Sequence, residues 1–166
     1  DTDRNLARDQ KLIELQKEGH QKFKSFMSMH GKRLSSIVIN NSELLYSRYI
    51  VSATVTISLV EDYLRLFEDS LVVLKGRVTN IQMFIADAVS KGIPAASQNA
   101  LEAQLEEYRA GFERYRMNFS SIKGVVLEVC TATERVPKEY LARQRALHQR
   151  LILILDLLQE TQDLFK

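Results

Sequence analysis

The side chains best suited to bind a ligand are basic residues at positions where a helical repeat calls for apolar ones. Arg143 falls between Tyr140 and Leu147, in a slot that the repeat would fill with an apolar side chain, and His30 takes a similar slot. Arg48 is expected at the same axial height. A guanidinium group held between helices matches the planar geometry of a carboxylate. The sequence therefore gives Arg143, His30 and Arg48 as candidate residues for binding a small carboxylate.

Arg143 also has a structural interpretation. The acidic residues Glu43, Glu128 and Glu134 are expected near its height, so it could form a partly solvated ion pair where the core opens. A long basic side chain can bury its stem at such a place and keep its charge in water. Of the two interpretations, the sequence favours the structural one.

Closely spaced aromatic rings raise a second possibility, a platform on which a flat ligand stacks. The segment LEEYRAGFERYRMNF carries four rings at intervals of four, three and four residues. They belong to a longer apolar run with the same alternation, which is typical of a helix buried along one stripe. The spacing therefore favours core side chains over a ligand platform. The four rings are Tyr108, Phe112, Tyr115 and Phe119.

Motifs for catalysis, metals and cofactors find no support in the sequence. It contains no glycine-rich phosphate loop, no histidine pair at i and i+4, and no Glu-x-x-His motif of the di-iron bundles. The single cysteine, Cys130, excludes an internal disulfide and a cysteine-based zinc site, and it lies among apolar residues. We therefore expect a non-enzymatic protein without cofactor or metal.

Composition limits the partners of the chain. Its 166 residues are 45% hydrophobic and 27% charged, which suits a folded core. The 23 basic and 21 acidic residues leave a net charge of +2 with no basic cluster, so we expect no nucleic acid. The longest uncharged central run, YIVSATVTISLV, has 12 residues, whereas a bilayer span needs about 20. Membrane attachment is expected only through flanking segments.

The hydrophobic period predicts an all-α chain. Apolar residues alternate at intervals of four and three from Tyr46 to Ala88 and from Leu101 to Val129, as in long coiled-coil-like helices. The run SATVTISL also alternates with period two, as a strand would, but we favour helix for residues 51–59. The predicted helices cover about 3–38, 42–90, 97–132 and 137–166 of a single domain, 1–166.

Capping residues and breakers set these boundaries. Ser42 is a plausible N-cap for the second helix, although the first helix could also run on into it. The segment SKGIPAAS, residues 90–97, ends the second helix, and Ser97 can cap the third. Pro137 marks the last break, because proline is tolerated only in the first turn of a helix.

Four amphipathic helices with short connections predict an antiparallel up-down-up-down four-helix bundle. The apolar run LILILDLL should place the fourth helix deepest in it. The second helix is expected to be the longest, with an apolar overhang that needs a partner, a second copy or the first helix folded back along it. We therefore predict a homodimer or a helical partner protein. The weaker apolar face of the first helix comprises Leu12, Leu15, Phe23, Phe26 and Ile37.

The segment LEAQLEEYRAGFERYRMNF, with its Leu-x3-Leu-x2-Tyr-x3-Phe pattern, resembles the periplasmic helical-bundle sensor domains of bacterial chemoreceptors and histidine kinases. The resemblance implies a periplasmic domain between two membrane helices, often dimeric, that binds a small molecule and takes part in signal transduction. It transfers no ligand-binding residue to this chain. The alternatives are a spectrin-like scaffold for protein interaction, which could be cytoplasmic, and a helical membrane-inserting toxin.

Overall fold

The computed structural model describes residues 2–46, 53–132, 134 and 136–166. This part of the chain is almost entirely α-helical and contains no β-strand. The predicted all-α class is therefore confirmed, and the packing of the helices fits a bundle. The long helices are α1 (Thr2–Tyr46), α2 (Ala53–Lys91), α3 (Ala95–Thr131) and α4 (Leu141–Leu164), and a 3-10 turn, Lys138–Tyr140, precedes α4.

The predicted stop after α2 is confirmed by its local geometry. Gly92 adopts a positive φ of 68°. Its backbone N–H donates to the carbonyl of Val89 at 3.3 Å, and the N–H of Ile93 donates to that of Ala88 at 3.0 Å. This pair of bonds is a Schellman motif, which satisfies carbonyls that the helix end would otherwise leave unpaired. Ile93 is buried and covers the end of the helix.

Two predicted helix starts are wrong. The segment around Ser42 continues α1 to Tyr46, because Asn and Ser cost a helix less than about 1 kcal/mol each and no glycine or proline follows them there. The start of α3 precedes Ser97, at Ala95, directly after Pro94. A proline suits a helix start because it lacks the N–H that the first turn leaves unpaired.

The lengths of the helices correct a second expectation. The longest helix is α1, with 45 residues, and α2 has 39. The expectation that the second helix is the longest is therefore wrong. The overhang predicted from that length includes residues outside the described ones, and α1 does pack against α2. Residues 53–59 are helical rather than extended, as the sequence favoured, and Ile57 and Val60 are fully buried. The connection between α1 and α2, 47–52, lies outside the described residues.

The core is built around α2 and α3. Each of them packs against the other and against both α1 and α4, whereas α1 and α4 do not pack extensively on each other. The ring of Phe67 from α2 lies 4.9 Å from that of Phe119 and 6.1 Å from that of Tyr115, both from α3. The prediction that the four rings of LEEYRAGFERYRMNF form an aromatic seam in the core is confirmed, since each of them is at most 4% exposed.

The position predicted for α4 is wrong. Leu151 and Ile154 are buried, but Ile152 is 47% and Leu153 61% exposed. An apolar helix is buried all round only if neighbours cover every face, and among the long helices, as far as the structure describes them, α4 packs extensively on α2 and α3 only. The deepest helix is α2, which supplies most of the fully buried side chains.

Candidate functional site

A groove of about 510 Å³ runs between α1 and α3. Its volume falls within the roughly 300–1,000 Å³ of small-molecule sites. Phe23 and Met27 of α1, Tyr108 and Tyr115 of α3, and Leu74 of α2 supply its apolar part. These side chains face one another because the apolar repeats of α1 and α3 meet here, as the hydrogen bond from the Tyr115 hydroxyl to the Met27 carbonyl at 3.2 Å shows.

Two glycines open this groove. Gly31 lies on the wall that α1 forms and Gly111 on the wall that α3 forms. A Cβ at Gly111 would meet nothing within 4 Å, and one at Gly31 would meet only the Tyr115 hydroxyl at 3.8 Å. Since neither position is needed for a tight turn or a close helix contact, the missing side chains leave space for a ligand.

The rim of the groove is mainly basic. Lys24 forms an ion pair with Glu107 at 3.3 Å. Lys32 and Arg114 also line the groove, and no acidic side chain in the described part of the chain pairs with either. Hydrophobic walls with two uncompensated cations would suit an amphipathic anion.

A chain of polar side chains closes one end of the groove. His20 of α1 is only 4% exposed. Its Nδ1 lies 2.7 Å from the Tyr108 hydroxyl and its Nε2 lies 3.0 Å from the Glu107 carboxylate. Arg77 of α2 donates to the Tyr108 oxygen at 3.4 Å. About one turn toward the N-terminus of α1, at the same interface, Gln16 donates to the side chain of Gln104 at 3.3 Å.

These contacts define one consistent arrangement of protons. A carboxylate can only accept, so the Nε2 of His20 carries a hydrogen and donates it to Glu107. In neutral His20 the Nδ1 then accepts from the Tyr108 hydroxyl, whose oxygen accepts from Arg77. Burial lowers the pKa of His20 below its usual value of 6.5, although the hydrogen bond to Glu107 partly offsets the effect. Burial likewise raises the pKa of Tyr108 above 10.0.

The guanidinium of Arg77 lies beside Gly19 of α1. A Cβ at Gly19 would lie 3.4 Å from both terminal nitrogens of the guanidinium. The same guanidinium lies 6.0 Å from the centre of the Phe23 ring, within the range of a cation–π contact. Its Nε atom is buried without a hydrogen-bond partner among the described residues.

Arg143, the leading candidate from the sequence, forms an ion pair with Glu61 of α2. Its Nε donates to Glu61 at 3.2 Å, a second nitrogen bonds the same carboxylate, and that nitrogen also donates to Ser58 at 3.3 Å. Its guanidinium lies 5.0 Å from the centre of the Tyr140 ring. The hydrogen bond to Glu61 raises the pKa of Arg143. The acidic partner is therefore Glu61 rather than one of the glutamates expected from the sequence.

The other two candidates do not join Arg143 in one site. The His30 ring lies against that of Phe26, tilted by 35° with ring centres 4.0 Å apart, and its Nδ1 lies 3.1 Å from the Ser70 hydroxyl. Ser70 is nine residues along α2 from Glu61, or about 14 Å at the rise of an α-helix. Arg48 lies outside the described residues.

Sequence reasoning missed the polar chain because the face assigned to the first helix was partly wrong. Leu12 and Leu15 are 42% and 53% exposed. The inward face instead alternates at intervals of three and four, and polar residues occupy three of its positions. That alternation was the signal that could have found His20. The inward positions are Ile13, Gln16, His20, Phe23, Met27, His30 and Leu34.

Comparison of the chain with protein-family models, curated proteins and solved structures finds no match. The described residues contain no group of three or more side chains placed to hold a metal ion. None of the helices in that part of the chain combines the length and apolarity needed to span a bilayer. The groove is therefore interpreted from its own geometry.

Proposed function

We propose that this protein is a non-enzymatic ligand-sensing helical bundle, and that the groove between α1 and α3 binds a small amphipathic carboxylate. The observation that carries the proposal is the pairing of an apolar, glycine-opened groove with Lys32 and Arg114, two basic residues without an acidic partner among the described residues. This site replaces Arg143, whose guanidinium is occupied by Glu61.

The charges along the groove orient such a ligand. Glu107 lies at the end closed by His20, so a carboxylate would be repelled there and attracted toward Arg114 and Lys32. The body of the ligand would then cover Phe23 and Tyr108. A ligand with one charged end can keep its carboxylate beside the two cations, whereas a second carboxylate at the other end would be repelled by Glu107.

We further propose that the helices run alternately up and down. Hydrogen bonds between α1 and α3 join residues 88 positions apart, which fits parallel helices. Residue numbers rise together where α2 meets α4, as in the pairs Glu61–Arg143 and Glu68–Arg150. They change in opposite directions where α1 meets α2 and where α2 meets α3. The pairs that support this are His30–Ser70, Phe23–Arg77, Phe67–Phe119 and Arg77–Tyr108.

The resemblance to bacterial sensor domains supplies the wider proposal. In it, this bundle is the periplasmic domain of a transmembrane signalling receptor of the chemoreceptor or histidine kinase type, and it works as a homodimer or with a helical partner. A change in how α1 lies on α3 would carry the signal, because the two helices form the walls of the groove.

A thermal-shift panel of aromatic and aliphatic monocarboxylates, each beside its neutral amide, tests the proposal. A ligand that binds only the folded state raises the melting temperature. We expect shifts with carboxylates such as 3-phenylpropanoate, and smaller ones with the amides. Gly111→Leu should abolish these shifts by filling the groove. Gly124→Leu is the matched control, because Gly124 is an exposed helical glycine whose Cβ would also meet nothing within 4 Å.

Two results would overturn the ligand-sensing proposal. One is a panel in which no compound shifts the melting temperature. The other is shifts that persist in Gly111→Leu, since the ligand would then bind elsewhere. A preference for amides would instead refute only the carboxylate as the ligand class.

A scaffold for protein interaction is the second candidate, and exposed apolar side chains favour it. Val72 and Met83 of α2 are 53% and 65% exposed, and Ile152 and Leu153 of α4 are similarly open. Scattered apolar residues are common on surfaces. A scaffold would bind its partner equally well in wild type and Gly111→Leu, and would lose affinity on replacement of Met83 or Leu153 by Ser.

A further inference from the structure

We propose that His20, Tyr108, Glu107 and Arg77 form a proton-sensitive clasp that holds α1 on α3 and opens as the solution becomes acidic. Glu107 and Tyr108 also line the groove, so opening the clasp would lower the affinity of the groove for its ligand. That second effect rests on the function proposed above, whereas the clasp itself does not.

Hydrogen-bond geometry makes the clasp specific for neutral His20. Protonation places a hydrogen on Nδ1, which then has to be donated to the Tyr108 oxygen 2.7 Å away. The Tyr108 oxygen already accepts a hydrogen bond from Arg77. In addition, the hydroxyl hydrogen of Tyr108 loses the acceptor that unprotonated Nδ1 provided. A buried hydroxyl without an acceptor is costly, since nothing replaces its bond to water.

Burial is the main cause that opposes protonation of His20, whereas the charges around it act in both directions, with Glu107 favouring protonation and Lys24 and Arg77 opposing it. Lys24 on α1 and Arg77 on α2 face it with positive charge, and Glu107 on α3 is the one acidic group among the described residues that contacts it. Glu107 is about half exposed and is shared with Lys24, so its attraction is partly screened and already in use. Tyr108 stays neutral because burial raises its pKa.

The sign of the pH effect follows from the lowered pKa of His20. In the unfolded chain the His20 side chain binds a proton near pH 6.5, whereas in the folded protein it binds one only at a lower pH. The contribution of the clasp to stability is therefore complete above about pH 6.5 and is lost as the pH falls toward the pKa of the folded state.

Local opening of α1 is the expected response, because α1 is held less firmly than the other helices. Leu34 is its one fully buried large side chain in the described part of the chain, and polar Gln16 and His20 occupy inward positions. Segments with few buried apolar contacts open at lower free energy than the whole protein. Losing the clasp should therefore loosen α1 before it affects α2 or α3.

Hydrogen exchange and histidine titration test the clasp directly. We expect exchange protection in residues 10–36 to fall between pH 7.5 and 5.0, after correction for intrinsic rates, while α4 keeps its protection. The fall is up to about tenfold for each unit by which the pKa of His20 is lowered. NMR titration of the three histidines, assigned by substitution, should give His20 a pKa below 6.5.

Matched variants separate the clasp from general acid destabilisation. His20→Gln should remove the pH dependence of α1 protection. His30→Gln should keep it, because His30 lies on the same helix but contacts Ser70 of α2. A His20 pKa of 6.5 or above would overturn the proposal, even if His20→Gln fails to fold. Equal loss of protection in α1 and α4 would also overturn it.

A binding experiment isolates the link to the groove. The affinity for 3-phenylpropanoate should fall between pH 7.5 and 5.5 in wild type and stay constant in His20→Gln. A parallel fall in both proteins would refute the link while leaving the clasp intact. No binding at either pH would refute the proposed ligand, and the exchange experiment would still decide the clasp.

Discussion

The two faces that α3 presents to α2 and to α1 differ in kind. Toward α2 it packs aromatic rings into a dry core, with Phe119 against Phe67 at 4.9 Å. Toward α1 it offers Gln104, Glu107 and Tyr108, which are hydrogen-bonded to polar residues of α1, beside a groove opened by glycine. The first interface holds the bundle together. The second has the polar groups, the space and the titratable histidine that a responsive site needs.

Energetics explains why these features are separated. Apolar burial stabilises in proportion to the area removed from water and does not depend on pH. Buried hydrogen bonds add only about 0.5–1.5 kcal/mol each in net terms, yet losing one partner costs more than the bond contributed. An interface built from them is therefore weaker and more easily switched than the dry core beside it.

Truncation of the dry seam should give the largest effect. Phe112 is 1% exposed and its ring lies 5.7 Å from that of Phe165, so Phe112→Ala removes a core ring and leaves a cavity. We expect the free energy of unfolding to fall by about 3–5 kcal/mol in urea denaturation. Met117→Ala, at a side chain that is 64% exposed on the same helix, should change it little. A loss below about 1 kcal/mol for Phe112→Ala would contradict a well-packed seam.

Removing one hydroxyl from the polar interface should cost less. Tyr108→Phe leaves His20 Nδ1 and Arg77 without the oxygen that both contact, and we expect a loss of about 1–3 kcal/mol at pH 7.5. The loss should be smaller at pH 5, because the clasp contributes less to the stability of the wild-type protein below pH 6.5. Tyr115→Phe is the control on the same helix. The Tyr115 hydroxyl donates to the backbone carbonyl of Met27, which does not titrate, so the loss of stability in this variant should not depend on pH. Equal losses at both pH values in Tyr108→Phe would refute the difference between the interfaces.

The dry seam could be predicted from the sequence because its heptad spacing is unbroken, and Tyr108, Phe112, Tyr115 and Phe119 are all buried as expected. The polar interface could not, because polar residues at inward positions interrupt the same period. Because Gln16 and His20 take inward positions, the apolar period of α1 is weak and indicates a different buried face, one that includes Leu12 and Leu15. Their partners on α3 are 88 residues away, a pairing that no local pattern reveals.

Helix boundaries were predictable where the backbone demands a special residue. Gly92, with its positive φ, ends α2 as predicted. The asparagines and serine of INNS have no such effect, since each costs a helix only tenths of a kcal/mol and a long helix absorbs them. The burial of α4 was predicted from composition alone, which does not reveal how many neighbours a helix has.

Gly111 lies beside open space, whereas Gly92 has a backbone conformation that favours glycine. Gly111→Ala should stabilise the protein by about 0.5–1 kcal/mol, because alanine favours a helix and its Cβ meets no neighbour here. Gly92→Ala should destabilise it by a similar or larger amount, because a Cβ is strained at positive φ. Urea denaturation of both variants measures the difference. A loss of stability in Gly111→Ala would mean that the groove is narrower than described.

The smallest effect is expected at Arg143, on the interface between α2 and α4. Its ion pair with Glu61 lies at the rim, with side chains 42% and 31% exposed, and such pairs contribute little because water and salt screen them. Arg143→Leu removes the partner of Glu61 while it places an apolar residue at a seam position, so the two effects oppose each other. We expect a small fall in melting temperature at low ionic strength that disappears in high salt, and no change in affinity for 3-phenylpropanoate.

Arg114→Leu should show the converse, with lost affinity and an unchanged melting temperature. Lost binding in Arg143→Leu would mean that the ligand binds at the N-terminal end of α4, beside Arg143. The groove between α1 and α3 would then be only a gap between helices.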